Sequence, residues 1–330
     1  MSEKIEKLSP MGTKPRLANL RFSRGSLSEY GIIVSFLVLT VLLSVSSDVF
    51  LTPRNALNIF DQWAPVGIIA LGQTLVIIAG GFDLSVAAIF AVGGVIAAQT
   101  TNATGSVLLG WVSGALAGAV LGLINGGLVT FGRINPLIAT LATSLAFGGL
   151  ALALTGGTLI TVEDQAFRVL GRDTLMGVKW TIWLFLLAIV LASIALSRSN
   201  FGRYIFATGG NSEAARLSGI KTGQISATTY AISGLCAGIA GVMVASRIGT
   251  GQADAGASFA LTSIAAVVLG GTSIKGGYGA IWRTVLGVLM LAFIGNGFNL
   301  LGVDPVYQQM VMGAIIALAV SLDAWARKSD

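Results

Sequence analysis

Apolar runs of membrane-spanning length follow one another along this chain with almost no charge inside them. A helix that crosses the hydrocarbon core of a bilayer needs about 20 mostly apolar residues. Ten segments approach that pattern, at roughly 30–47, 64–80, 84–100, 106–131, 134–156, 180–197, 225–246, 259–272, 280–298 and 306–325. Of the 330 residues 54% are hydrophobic and only 10% are charged, too few to cover the exterior of a water-soluble fold. The expectation is an all-α, polytopic membrane protein of about ten transmembrane helices. Glycine contributes 44 residues, and small residues at that density suit closely packed spans.

The basic residues give an orientation. With the N-terminus inside, the cytoplasmic stretches hold fifteen of the 20 lysines and arginines: Lys4, Lys7, Lys14, Arg16, Arg21, Arg24, Arg133, Arg198, Arg203, Arg216, Lys221, Lys275, Arg283, Arg327 and Lys328. Only Arg54, Arg168, Arg172, Lys179 and Arg247 fall outside. Cytoplasmic loops carry the excess of lysine and arginine, so both termini are expected in the cytoplasm. The chain then divides into a tail at 1–29, a transmembrane domain at 30–325 with an inner loop at about 198–224, and a second tail at 326–330. A cleavable signal would place its apolar core nearer the start, so the first span is expected to remain as an anchor. The net charge of +6 reflects this asymmetry and gives no reason to expect nucleic acid.

Several chemistries are excluded. There is no histidine, and Cys236 is the single cysteine, which removes histidine triads, histidine metal sites and any intrachain disulfide. No residue is nominated as catalytic or metal-ligating. The stretch Gly270 to Gly277 has the wrong spacing for a phosphate-binding loop, so ATP, if used, is bound by another subunit.

Three segments stand out. In the first, two apolar runs meet at Gly80-Gly81, followed by Phe82-Asp83-Leu84-Ser85. Glycine permits a non-helical backbone, and Asp83 can cap a helix starting at Leu84. Asp83 is also the one charge expected well inside an apolar stretch, a position that marks a functional residue by default. A broken helix whose end lines a solute path is the functional alternative. The second break, Gly270-Gly271 to Gly276-Gly277, repeats the pattern and reads either as a tight turn or as half of an internal repeat. In the third, Asn211 is placed to cap a two-turn helix at about Ser212–Ser218, with Glu213 in the first turn and Gly219 to end it. A helix this short is marginal in water and must dock on something.

These segments resemble the permease subunits of bacterial ABC importers for monosaccharides of the ribose, xylose and arabinose type. The resemblance rests on Gly72 to Val86, on the loop Gly202 to Lys221, on Val268 to Ser273 with Lys275-Gly276-Gly277, and on Pro136 to Leu141. Phe82 stands where the family usually has isoleucine, Ala87 where it has glycine, and Gln73 where methionine is common. The resemblance implies an ABC importer permease fold with broken or short helices, in the bacterial inner membrane. It implies a second permease subunit, identical or paralogous, a cytoplasmic ATPase that carries ATP and Mg, and a periplasmic sugar-binding protein. Glu213, Ala214, Ala215, Arg216 and Gly219 are then the candidates for ATPase contact. Asp83, Gln73, Asn125 and Asn296 are the path candidates, and Gly80, Gly81, Gly270, Gly271, Gly276 and Gly277 the helix breaks. Arg54, Arg168, Arg172 and Asp254 are candidates for docking the binding protein. The rival reading is a stand-alone ion-coupled secondary transporter that depends on Asp83.

Overall fold

A computed structural model describes residues 24–256 and 258–326. The expectations that fall on 1–23 and 327–330, including Lys4, Lys7, Lys14, Arg16, Arg21, Arg327 and Lys328, lie outside the described residues. The chain forms α1 (Arg24–Ser46), α2 (Pro53–Ile78), α3 (Val86–Thr104), α4 (Val107–Thr130) and α5 (Pro136–Thr155). A connection follows with β1 (Ile160–Thr161), a short 3-10 turn, α6 (Val169–Arg172), β2 (Thr174–Leu175) and β3 (Val178–Lys179). Next come α7 (Trp180–Ser197), α8 (Asn200–Gly210), α9 (Ser212–Leu217), α10 (Thr222–Ile248) and β4 (Thr250–Gly251). The chain closes with α11 (Phe259–Leu269), α12 (Ile281–Leu300) and α13 (Pro305–Ala326). The strands are minimal: β1 pairs antiparallel with β4, and β2 with β3.

Among the described residues, seven helices are long and apolar enough to cross a membrane: α2, α3, α4, α5, α7, α10 and α12. The expected count of about ten is not reached by this measure. The eighth expected span, 259–272, shortens to the eleven residues of α11, which stop at Gly270. The second span begins eleven residues early. Thr52 accepts a hydrogen bond from the Asn55 backbone N–H at 3.3 Å and Pro53 occupies the first turn, so the helix starts there. Its first turns carry Asn55 and Asp61, polar residues that read as loop in sequence and are buried in the structure.

The centre is made by α10 packed on α3 and α4. Gly114, Gly118, Gly122 and Gly126 fall on one face of α4, one turn apart, where they meet Gly93 of α3 and Ala227, Tyr230, Gly234 and Gly238 of α10. A Cβ added at Gly122 would lie 2.2 Å from the Tyr230 carbonyl oxygen, and one at Gly234 would lie 2.2 Å from that of Gly118. The backbones touch, and only glycine allows it. By contrast, Leu116, Val120 and Leu123 of α4 and Leu187, Leu191 and Ile194 of α7 are exposed, the apolar outer surface of a bundle solvated by lipid.

Gly122→Leu is expected to destabilise the detergent-solubilised protein by at least about 1–3 kcal/mol, the usual range for overpacking. Gly127→Ala, where an added Cβ meets nothing within 4 Å, is expected to leave the melting temperature unchanged or slightly raised. Thermal unfolding of the two variants side by side checks this.

Candidate functional site

Among the described residues, two polar clusters and a cavity with a polar wall stand out against the apolar interior. The first cluster surrounds Asp83 after α2. Gly80 has φ +86°, which lets the chain leave α2 and turn back toward α3. Asp83 does not cap a helix starting at Leu84. It accepts from the backbone N–H and hydroxyl of Ser85, at 3.0 and 2.6 Å, and α3 begins one residue later at Val86. The helix starts late because the carboxylate is spent on this local turn. Its other oxygen accepts from the Ser233 hydroxyl at 3.1 Å. Gln73 donates to the Asp83 carbonyl at 2.5 Å, Asn125 donates to the Ser85 hydroxyl at 2.6 Å, and Tyr230 donates to the Phe82 carbonyl at 2.9 Å. Thus α2, α4 and α10 all grip one non-helical loop. Gln73, Asp83 and Asn125 are completely buried, and the Gln73 Oε1 and Asn125 Oδ1 carry no hydrogen bond.

The second cluster was hidden in sequence. Asp61, early in α2, is buried and accepts from Lys179 Nζ at 2.5 Å, Thr181 Oγ1 at 2.6 Å and Arg247 Nη2 at 3.0 Å. Asp83 is therefore not the one charge inside the bundle. Two of the five basic residues assigned to the outside meet on this carboxylate, and Arg172 donates to the Arg247 carbonyl at 2.7 Å. Asp61 could have been suspected only by extending α2 back to Pro53. Arg283, expected in an inner loop, belongs instead to the first turn of α12, where it is buried over the rings of Tyr278 and Trp282. Arg54, Arg172 and Asp254 are exposed and Arg168 is half-buried.

Asn296 lies apart from the other path candidates. It exchanges two hydrogen bonds of 2.9 Å with Asn55 and lines a cavity of about 550 Å³ between α2, α11, α12 and α13. The walls include Trp63, Gln62, Asn299, Gln308, Gln309 and Thr262, and hold no lysine, arginine, aspartate or glutamate. The cavity opens where α2, α11 and α13 begin and α12 ends. From Trp63 to the end of α2 the helix rises roughly 22 Å, so α8 and α9, packed at the Ile78 end, lie at the opposite pole.

At that pole Asn211 ends α8 and caps α9, accepting from the Ala214 N–H at 2.9 Å. Glu213 and Arg216 pair at 2.5 Å and both are exposed. The guanidinium donates to the Glu213 carboxylate and holds its pKa below the usual carboxylate range. Ala215 packs inward, Ala214 faces out, and Gly219 adopts φ +86°. Leu217, not nominated from sequence, is strongly exposed on the same short helix and leaves an apolar side chain on its surface. Gly271, Gly276 and Gly277 have positive φ in the second break, whereas Gly270 stays in the right-handed region as the C-cap of α11. Among the described residues, no group of three or more metal-ligating side chains is assembled.

Asp61→Asn is expected to lower stability toward the lower end of the about 3–5 kcal/mol that breaking a buried ion pair costs, because Lys179 and Arg247 keep partial contact with water. Thermal unfolding of the variant against the wild-type chain measures it.

Comparison with known proteins gives one consistent result. A family profile described as branched-chain amino acid transport system / permease component matches residues 55–320. The ribose import permease protein RbsC of Bacillus subtilis is 41% identical over 301 residues, covering 91% of this chain and 94% of that protein. RbsC of Escherichia coli is 37% identical over 306 residues, covering 92% and 95%. The L-arabinose transport system permease protein AraH of Escherichia coli is 37% identical over 309 residues, covering 93% and 94%. No solved structure matches the chain. With a bundle of apolar helices and a family match across most of its length, this chain is a multi-pass membrane protein that belongs to the family of transport-system permease components.

Proposed function

We propose that the chain forms the membrane path of an ATP-driven importer for a neutral monosaccharide, of the pentose class carried by the relatives named for ribose and arabinose. The observation that carries this reading is the uncharged cavity. Its wall combines one indole with five carboxamides, from Gln62, Asn296, Asn299, Gln308 and Gln309. An indole offers an apolar face to the C–H side of a sugar ring, and carboxamides both donate to and accept from hydroxyls. An amino-acid zwitterion needs counter-charges to leave water, and this wall provides none.

The path candidates then take different parts. Asn296 meets the solute in the outer cavity, while Gln73, Asp83 and Asn125 form the closed inner barrier. The unpartnered oxygens of Gln73 and Asn125 are the acceptors that a sugar hydroxyl or water meets when that barrier opens. Glu213, Ala214, Ala215, Arg216 and Gly219, with Leu217, dock a cytoplasmic ATPase that holds ATP and Mg. Arg54, Arg168, Arg172 and Asp254 face a periplasmic binding protein. A second permease subunit completes the path. The helix directions fit ten crossings of the inner membrane with both termini cytoplasmic, α1, α11 and α13 joining the seven long spans.

The test is reconstitution of the chain, co-purified from its host with any ATPase, in liposomes with the binding protein. ATP-dependent uptake of labelled ribose or arabinose, and no uptake of leucine, is expected. Trp63→Ala is expected to reduce sugar uptake about tenfold with ATPase binding intact, and Glu213→Lys to remove the ATPase. Uptake driven by an ion gradient without ATP overturns the reading.

A further inference from the structure

The two glycine breaks, far apart in sequence, meet in space, and the end of α8 is pressed between them. The Gly277 N–H donates to the Ile78 carbonyl at 2.8 Å, joining the break after α11 to the last residue of α2. Gly209 sits against that bond. A Cβ there would lie 1.7 Å from the Ile78 carbonyl oxygen and 2.7 Å from the Gly277 nitrogen. Gly276, with φ +87°, has the Gly209 carbonyl oxygen 2.9 Å and the Gly80 Cα 3.0 Å from its would-be Cβ. Gly80, Gly209, Gly276 and Gly277 thus meet, with Ile78, at one backbone-to-backbone junction.

From this junction the chain runs two ways. Toward the proposed cytoplasmic face, Asn211 is at once the last cap of α8 and the first of α9, so the two short helices share a residue with no linker between them. Toward the interior, Gly80 leads within three residues to Asp83 and the loop held by Tyr230, Gln73 and Asn125. Between α8 and that loop the contacts at Gly209 are backbone to backbone, with no side chain to yield.

We infer that Gly209 is a positioning residue for transport: its close seat against Ile78 and Gly277 converts movement of α8–α9 into movement of both breaks. This rests on the proposed function, in which an ATPase pushes on α9. The adjacent Gly210 provides the control, because a Cβ added there meets nothing within 4 Å.

The experiment measures sugar transported per ATP hydrolysed by the full complex in proteoliposomes. Gly209→Ala is expected to keep the ATPase bound and hydrolysing while that ratio falls about tenfold, within the usual span of coupling between sites. Gly210→Ala is expected to match the wild type. An unchanged ratio in Gly209→Ala, or an equal fall in Gly210→Ala, overturns the inference. If Gly209→Ala does not accumulate, Gly210→Cys with Tyr278→Cys in a Cys236→Ser background, joined by a cleavable bifunctional thiol reagent, tests the same junction. The tether is expected to lower the ratio until it is cleaved, and a tethered complex transporting at the untethered ratio overturns the inference. A wild-type complex that hydrolyses ATP but moves no sugar counts against the proposed function instead, and is read before either variant.

Discussion

Direct contact between backbones is the constraint on which this structure depends. In lipid, helices gain little from hiding apolar side chains from one another, so close approach and dispersion hold them together. The α4–α10 seam achieves this by removing side chains altogether, with carbonyl oxygens of one helix lying where Cβ atoms of the other would be. The same device recurs at the junction of Ile78, Gly209 and Gly277. One contact type therefore serves two ends: along α4 it makes a close-packed central core, and at the pole with α8 it joins three segments far apart in sequence.

The two buried aspartates show how differently the same carboxylate is kept inside such a bundle. Asp61 is neutralised by cations brought from β3 and α10, which ties the connection before α7 to the helix ends. Asp83 among the described residues has hydroxyl and backbone donors and no cationic partner. A carboxylate held by two rotatable hydroxyls and one backbone N–H can exchange donors as its loop moves, whereas a charge locked to a lysine and an arginine resists movement. The ion-paired Asp61 suits a fixed scaffold, and the hydroxyl-held Asp83 suits a loop that changes shape.

Much of the architecture was legible because its signals are local. The span 180–197 and the short helix after Asn211 follow from apolar run length and capping chemistry, and both stand in the structure. The start of α2 was not legible, because Asn55 and Asp61 look like loop residues until their partners, Asn296, Lys179 and Arg247, are known. Those partners are more than a hundred residues away, and no periodicity records them. The meeting of the two glycine breaks escaped for the same reason. Each break was visible as a change of backbone, yet their contact is a property of the assembled bundle. A polar residue in an apolar run signals burial but does not tell a closed cluster from a cavity wall. Asn296 and Asp83 answer to that pattern equally and lie near opposite poles.

The uncharged wall between α2, α11, α12 and α13 bears on energetics as well as on selection. Moving one elementary charge across a membrane exchanges about 2.3 kcal/mol per 100 mV with the electric field. A neutral solute in a chamber without fixed charge exchanges none. Under the proposed function, passage of the sugar itself neither draws on the membrane potential nor depletes it, so accumulation is set by the phosphorylation state of the cell and persists when the membrane is depolarised.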